Sequence, residues 1–152
     1  VSYRVVYTIT GTSAVTPGLD TFGEIGRTGM GLDAYESVTI FAILNGNTGG
    51  TLDAYVQMTL DGLIWFDWCH FAQLPAGAAE QVRVAAATRP QSNSTLKAIG
   101  RDGTPALVAN SILNTDWGVA LRLVTVSSAA STVGAQQTLI VTATRRPGAL
   151  TT

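Results

Sequence analysis

Residues 52–71 read Leu-Asp-Ala-Tyr-Val-Gln-Met-Thr-Leu-Asp-Gly-Leu-Ile-Trp-Phe-Asp-Trp-Cys-His-Phe. Leu52, Ala54, Val56, Met58 and Leu60 share one parity; Asp53, Tyr55, Gln57 and Thr59 take the other. Alternation of period two marks a strand with one face on a core and one in water. Asp61-Gly62 interrupts the pattern, and Asp-Gly is a strong hairpin signal because glycine reaches positive φ without a Cβ clash. The apolar, aromatic run that follows returns along its partner. The stretch therefore predicts a β-hairpin with its structural turn at Asp61 and Gly62, and nothing in it has the form of a catalytic device.

The same pattern extends on both sides. Residues 2–10 place Tyr3, Val5, Tyr7 and Ile9 on one face, and 37–44 form an apolar strand. Residues 80–87 put Val82 and Val84 on one side; 96–99 form a short strand, 119–126 alternate cleanly, and 136–144 make the closing strand. Residues 106–113 fit no single pattern. Clusters of Gly, Pro, Asn and Ser at 45–50, 75–77, 90–94, 100–103 and 127–134 separate these runs as turns. No segment keeps helical periodicity over ten residues. About eight strands at roughly ten-residue spacing predict an all-β fold, an antiparallel, jelly-roll-like β-sandwich. One domain spans 1–152. Residues 11–32, with Pro17-Gly18 and five further glycines at positions 11, 23, 26, 29 and 31, read as a long glycine-rich loop with room for a short strand near Phe22 to Ile25. Residues 145–152 read as a tail.

Composition narrows the function. Charged residues make up 12% of the 152 residues and apolar residues 46%, and the charge content is about half that of an ordinary soluble domain. Lysine occurs once, at Lys97. So few charges suit a chain that lives against other protein in a large assembly. The net charge of −1 offers no basic stripe for nucleic acid. No apolar run approaches the ~20 residues that would span a membrane. No secretion signal is visible, and with the single, unpaired Cys69 this fits synthesis in a cytosol.

The candidate chemical constellations are thin. Cys69 lies between Trp68 and His70 in an apolar strand, and His70, the single histidine, points to the opposite sheet face. Cys69 thus reads as a small buried hydrophobe rather than a nucleophile. Asp61, Asp67, Asp102 and Asp116 are scattered without metal-ligand spacing, and Glu24, Glu36 and Glu80 show no sign of convergence. Gly46 to Gly50 lacks the lysine and following helix of a phosphate loop. No catalytic, cofactor or metal site is expected. Arg122 reads as a solvated or interface charge. Trp65 and Asp67 share a parity, with Trp68 opposite, so a sugar-stacking reading stays open for Trp65 or for Trp117, which otherwise plugs one end of the sandwich. An enzyme on this scaffold would need His70 in a polar cleft with a carboxylate.

The order of these elements carries a resemblance. Leu52-Asp53-Ala54-Tyr55-Val56-Gln57, then Leu60-Asp61-Gly62, then Trp65-Phe66-Asp67 and His70-Phe71 resembles a pattern of small β-sandwich proteins in tailed bacteriophages. Trp117 to Leu123 is similar to their next-to-last strand and Gln137 to Thr144 to their closing one. The resemblance covers the central and C-terminal two-thirds of the chain. It implies a non-enzymatic virion structural protein, made in the bacterial host cytoplasm and carried on the capsid exterior as a decoration or cement protein. A tail or head–tail-junction component is the alternative, with a carbohydrate-binding sandwich module behind it. The implied partners are a major capsid protein and copies of itself, as a dimer or trimer, without direct nucleic-acid or membrane contact and without cofactor. The assembly-interface candidates are Leu19, Phe22, Ile25 and Met30 in the glycine-rich loop, whose ordering needs a partner to offset roughly 1–2 kcal/mol per residue. Arg145, Arg146 and Leu150 in the tail join them.

Overall fold

The computed structural model describes residues 3–12, 18–26, 31–46, 50–88, 99–113, 117–128 and 136–145. Among these residues the chain forms nine strands and one short 3-10 turn. The strands are β1 (Tyr3–Thr12), β2 (Gly18–Ile25), β3 (Ser37–Leu44), β4 (Leu52–Thr59), β5 (Trp65–His70), β6 (Gln81–Thr88), β7 (Ser111–Ile112), β8 (Ala120–Ser127) and β9 (Gln136–Arg145). They build two antiparallel sheets. The four-stranded sheet has the order β1-β9-β3-β6 and the five-stranded sheet β2-β8-β4-β5-β7. With the two-residue β7 set aside, this is jelly-roll connectivity: successive strands pass from sheet to sheet, and β4–β5 alone remains a hairpin within one sheet.

The alternation read from the sequence decides which faces meet. Val38, Ile40, Ala42 and Leu44 of β3 and Leu139, Val141 and Ala143 of β9 turn inward. They meet Leu52, Ala54, Val56 and Met58 of β4 and Leu121 and Leu123 of β8. Trp68 and Trp117 pack edge to face, 6.4 Å apart and at 70°. Trp117 is fully buried, and its Nε1–H donates to Leu32 O (3.0 Å), so it closes one end of the sandwich as expected.

The hairpin turn stands where the sequence puts it. Gly62 has φ 80°. Asp61 Oδ1 accepts the backbone N–H groups of Leu63 and Ile64 at 2.8 and 2.9 Å, and Gly62 N–H donates to Thr59 Oγ1 (2.8 Å). The bonds from Ile64 and Leu63 hold the Asp61 carboxyl below the ordinary carboxylate range. A depressed folded-state pKa stabilises the turn at neutral pH, and that contribution disappears as pH falls through the folded value.

Two expectations need correction. Within 11–32, where a loop with a short strand near Phe22 to Ile25 was expected, Gly18–Ile25 is a full strand paired with β8. Its register slips between Thr21 and Glu24. This bulge lets Phe22 and Ile25, three residues apart, share the inward face while Leu19 stays on the outer one, which hides the strand from a period-two reading. Phe22 and Ile25 consequently lie in the core at 9% and 3% exposure, so they are not interface residues. Residues 106–113 contribute only the two-residue β7. Most of the expected strand 96–99, together with Met30, Arg146 and Leu150, lies outside the described residues.

Gly118 fixes how β8 begins. Its φ is 70°, and a Cβ there would stand 2.1 Å from Thr59 O, the carbonyl that accepts the N–H of Val119 (2.9 Å). Gly77 has a similar φ of 67° but open space around it. Gly118→Ala should therefore lose about 3 kcal/mol, combining strain with a backbone clash, and Gly77→Ala about 1 kcal/mol from strain alone. Urea unfolding of the two variants checks this, and equal midpoints would contradict it.

Candidate functional site

Over β4, β5 and the facing part of β8 the outer side of the five-stranded sheet is not wet, contrary to what the alternation suggested, while the outward residues of β2 are exposed. Tyr55, Gln57, Thr59, Asp67 and Val124 point away from the sandwich core yet are all buried. The reason is a polar network that draws residues 99–107 over β5. Asp67 has no exposed surface. Its Oδ2 accepts the backbone N–H groups of Gly100 (2.8 Å), Ala106 (2.7 Å) and Leu107 (2.9 Å). Its Oδ1 accepts from Gln57 Nε2 (3.0 Å). One carboxylate thus satisfies three buried backbone donors from a single loop, the arrangement that makes such burial tolerable.

Gln57 is fixed from its other side. Its Oε1 accepts both Nε (3.0 Å) and Nη2 (2.7 Å) of Arg122. The amide nitrogen must then face Asp67 and the Asp102 carbonyl, to which it also donates (3.0 Å). The Arg122 guanidinium lies 4.6 Å from the centre of the Trp65 ring. Arg122 is therefore a half-buried structural cation rather than the solvated one of the two alternatives, a solvated or an interface charge, read from the sequence. Burial lowers its pKa, opposed by the charges of Asp102 and Glu24. Asp102 clamps the loop to the start of β5. It accepts Trp65 N–H at Oδ1 (3.1 Å) and Arg101 Nε–H at Oδ2 (2.8 Å). Those two bonds, the backbone one first, hold its carboxyl below the usual range.

A second polar group sits farther along β5. A register shift between Val56 and Gln57 leaves Trp68 unpaired in β5, so Cys69 faces the core and His70 the outer side. His70 Nδ1 lies 2.6 Å from Leu107 O and Nε2 3.0 Å from Asp53 Oδ1. The ring stacks on Tyr55 with centroids 3.8 Å apart. Gln73 donates to the other Asp53 oxygen (2.8 Å). This is a His–carboxylate pair, but with the ring stacked on Tyr55 and both nitrogens occupied it clasps the loop to the sheet. It is not poised against a substrate. Cys69 is 3% exposed, and burial pushes its thiol up to about 12, so it is quiet at neutral pH. A cavity of about 280 Å³ opens between β6 and β5–β7, where Cys69, Phe71, Val84 and Ile112 contribute to its lining. Among the described residues no three His, Cys, Asp or Glu side chains converge.

Trp65, Trp68 and Trp117 are all buried at 5% exposure or less. None offers an open ring for sugar stacking. Of the interface candidates, Leu19 is exposed at 37% and Arg145 is half-buried at the end of β9.

The other sheet is organised in the opposite way. Its outer face is open and almost without charge. Cross-strand register aligns Thr8–Ile140–Phe41–Val84 in one row and Thr10–Thr138–Ile43–Val82 in the next. Val6–Thr142–Thr39–Ala86 forms a third. Val6, Phe41, Val82 and Val84 are 54%, 37%, 55% and 57% exposed. The sequence showed these residues as strand positions but not that nothing among the described residues covers them.

No protein-family profile matches the chain, and no curated protein matches it. Solved structures similar to it include "Structure of infectious bursal disease virus Gx strain", at 10% identity and a TM-score of 0.35. Another is "Structure of infectious bursal disease virus Gt strain", at 14% identity and 0.32. Each similarity covers 97% of this chain, which spans about a third (32% and 33%) of the length of those chains.

Asp67→Asn tests the network directly. With one oxygen, the amide cannot serve both sides: it presents N–H₂ either to the three loop N–H groups or to Gln57 Nε2. Gln57 cannot turn over without releasing Arg122. The variant should lose about 3 kcal/mol, read as a lowered urea midpoint; an unchanged midpoint would contradict the network.

Proposed function

We propose that this chain is a non-enzymatic structural protein of a virion, which binds a capsid shell from the outside and stabilises it as a decoration or cement protein. The observation that carries the reading is the contrast between the two sheet faces. One is closed by the chain's own loop. The other is a four-stranded surface of Thr, Val, Ile and Phe with charge only at its margin.

Such a surface suits burial against protein. Apolar area contributes roughly 25 cal/mol per Å², and no charge has to be stripped of water as contact forms. Association costs offset much of the gain in a single copy, but a coat of many copies on a shell repeats such contacts between neighbouring copies many times. Symmetric repetition turns individually weak contacts into a stable coat. The jelly-roll connectivity supports the reading without deciding it, since viral capsid domains, lectins and cupins all use it. The lectin alternative loses its motive with the three indoles buried. The strand-level resemblance to tailed-phage sandwich proteins supplies the shell as partner, and a tail or head–tail-junction position is the nearest variant of the same role.

The test is made on particles. In a purified virion preparation from cells carrying the genome that encodes it, the chain should be present at a copy number set by the shell symmetry. Particles made without it should lose heat resistance. Its absence from intact particles would contradict the proposal.

A further inference from the structure

We infer that the open face of the four-stranded sheet is the site where a second copy of this chain docks, face to face, to form a two-fold dimer. The virion reading supplies the reason for copies to meet, and the geometry supplies the surface.

Three features of the face point to this occupant. The first is charge. Arg4, at one corner, is the only charged residue on it among the described residues. Two identical surfaces repel each other wherever they carry like charge near the axis. A surface without charge is self-compatible, and its threonine methyls and hydroxyls suit either side of the same contact. Thr10 and Thr138 already pair across strands, Oγ1 to Oγ1, at 3.3 Å.

The second is area. Four strands at about 4.8 Å spacing and about eight residues at about 3.4 Å give a flat footprint of roughly 500 Å² per copy. Two copies together then bury about 1,000 Å² or more, since side chains add relief, which reaches the range of specific interfaces. Two sheets can pack in this way about 10 Å apart with strands at about −30°.

The third is the state of the neighbouring edge. β6 is paired with β3 alone, so edge-to-edge extension is the rival way for two copies to meet. Arg83 sits in the middle of β6 opposite Ala42 and so on the inward side of the strand. An inward-pointing charge on an edge strand blunts pairing of that edge. The face carries no such guard. In its middle row Phe41 of the inner strand β3 is directly opposed to Ile140 of β9 on one side and to Val84 of the edge strand β6 on the other, and Phe41 takes the place of an energetic anchor in a two-fold contact.

Sedimentation equilibrium of the full chain tests the inference. At about 100 µM the wild type should have twice the chain mass of 15.8 kDa. Val84→Lys, and Val84→Lys combined with Phe41→Lys, should sediment as monomers with unchanged far-UV circular dichroism, because both positions are exposed. Leu63→Lys, at the 81% exposed residue of the β4–β5 turn, should remain dimeric. A monomeric wild type at that concentration overturns the inference, and so does a folded Val84→Lys/Phe41→Lys variant that stays dimeric. Particle occupancy is read separately, so a monomeric wild type found at full copy number on virions would remove the dimer and leave the virion reading in place.

Discussion

The buried carboxylate of Asp67 is the constraint on which this arrangement depends. An unpaired charge in a protein interior costs several kcal/mol, and here it is met by four hydrogen bonds, three from one loop. The loop cannot leave without stranding the charge, and the charge would not be tolerated without the loop. Gln57 and Arg122 extend the constraint across β4 to β8, because the guanidinium fixes which way the Gln57 amide faces. Asp102 and the His70 pair fasten the loop at its two ends.

The asymmetry between the sheets follows. The five-stranded sheet spends its outward side chains on holding its own cover. Among the described residues the four-stranded sheet has no cover on its outer side. Its outward residues are threonines and β-branched or aromatic groups, good strand formers that ask for no specific partner. A domain built this way has one side committed to its own fold and one side free for assembly.

Much of the fold was legible in the sequence, and the exceptions have physical causes. The hairpin, its Asp61-Gly62 turn and strands β3, β8 and β9 were visible because both alternation and turn chemistry are local. β2 was hidden by its bulge, which converts a period of two into a period of three. Asp53, Tyr55, Gln57 and Thr59 were read as a wet face because alternation reports which residues share a side. It does not report what lies over that side. The Asp67 network was beyond reach for the same reason: its partners come from positions 57, 100, 102, 106, 107 and 122, joined by no spacing rule. Arg122, a charge between apolar residues on an alternating strand in a sequence with few charges, was the one signal in the sequence that pointed to a buried partner. The open face was present as the outward halves of four strands, but their register was needed to assemble it.

Amide hydrogen exchange on the native protein tests the central claim most directly. If the Asp67 carboxylate holds the loop, the N–H groups of Gly100, Ala106 and Leu107 should be protected to about the same degree as the amides of β4 and β5. They should also lose that protection together in Asp67→Asn. Exchange of these three amides at the rate of an open loop in the wild type would contradict the account.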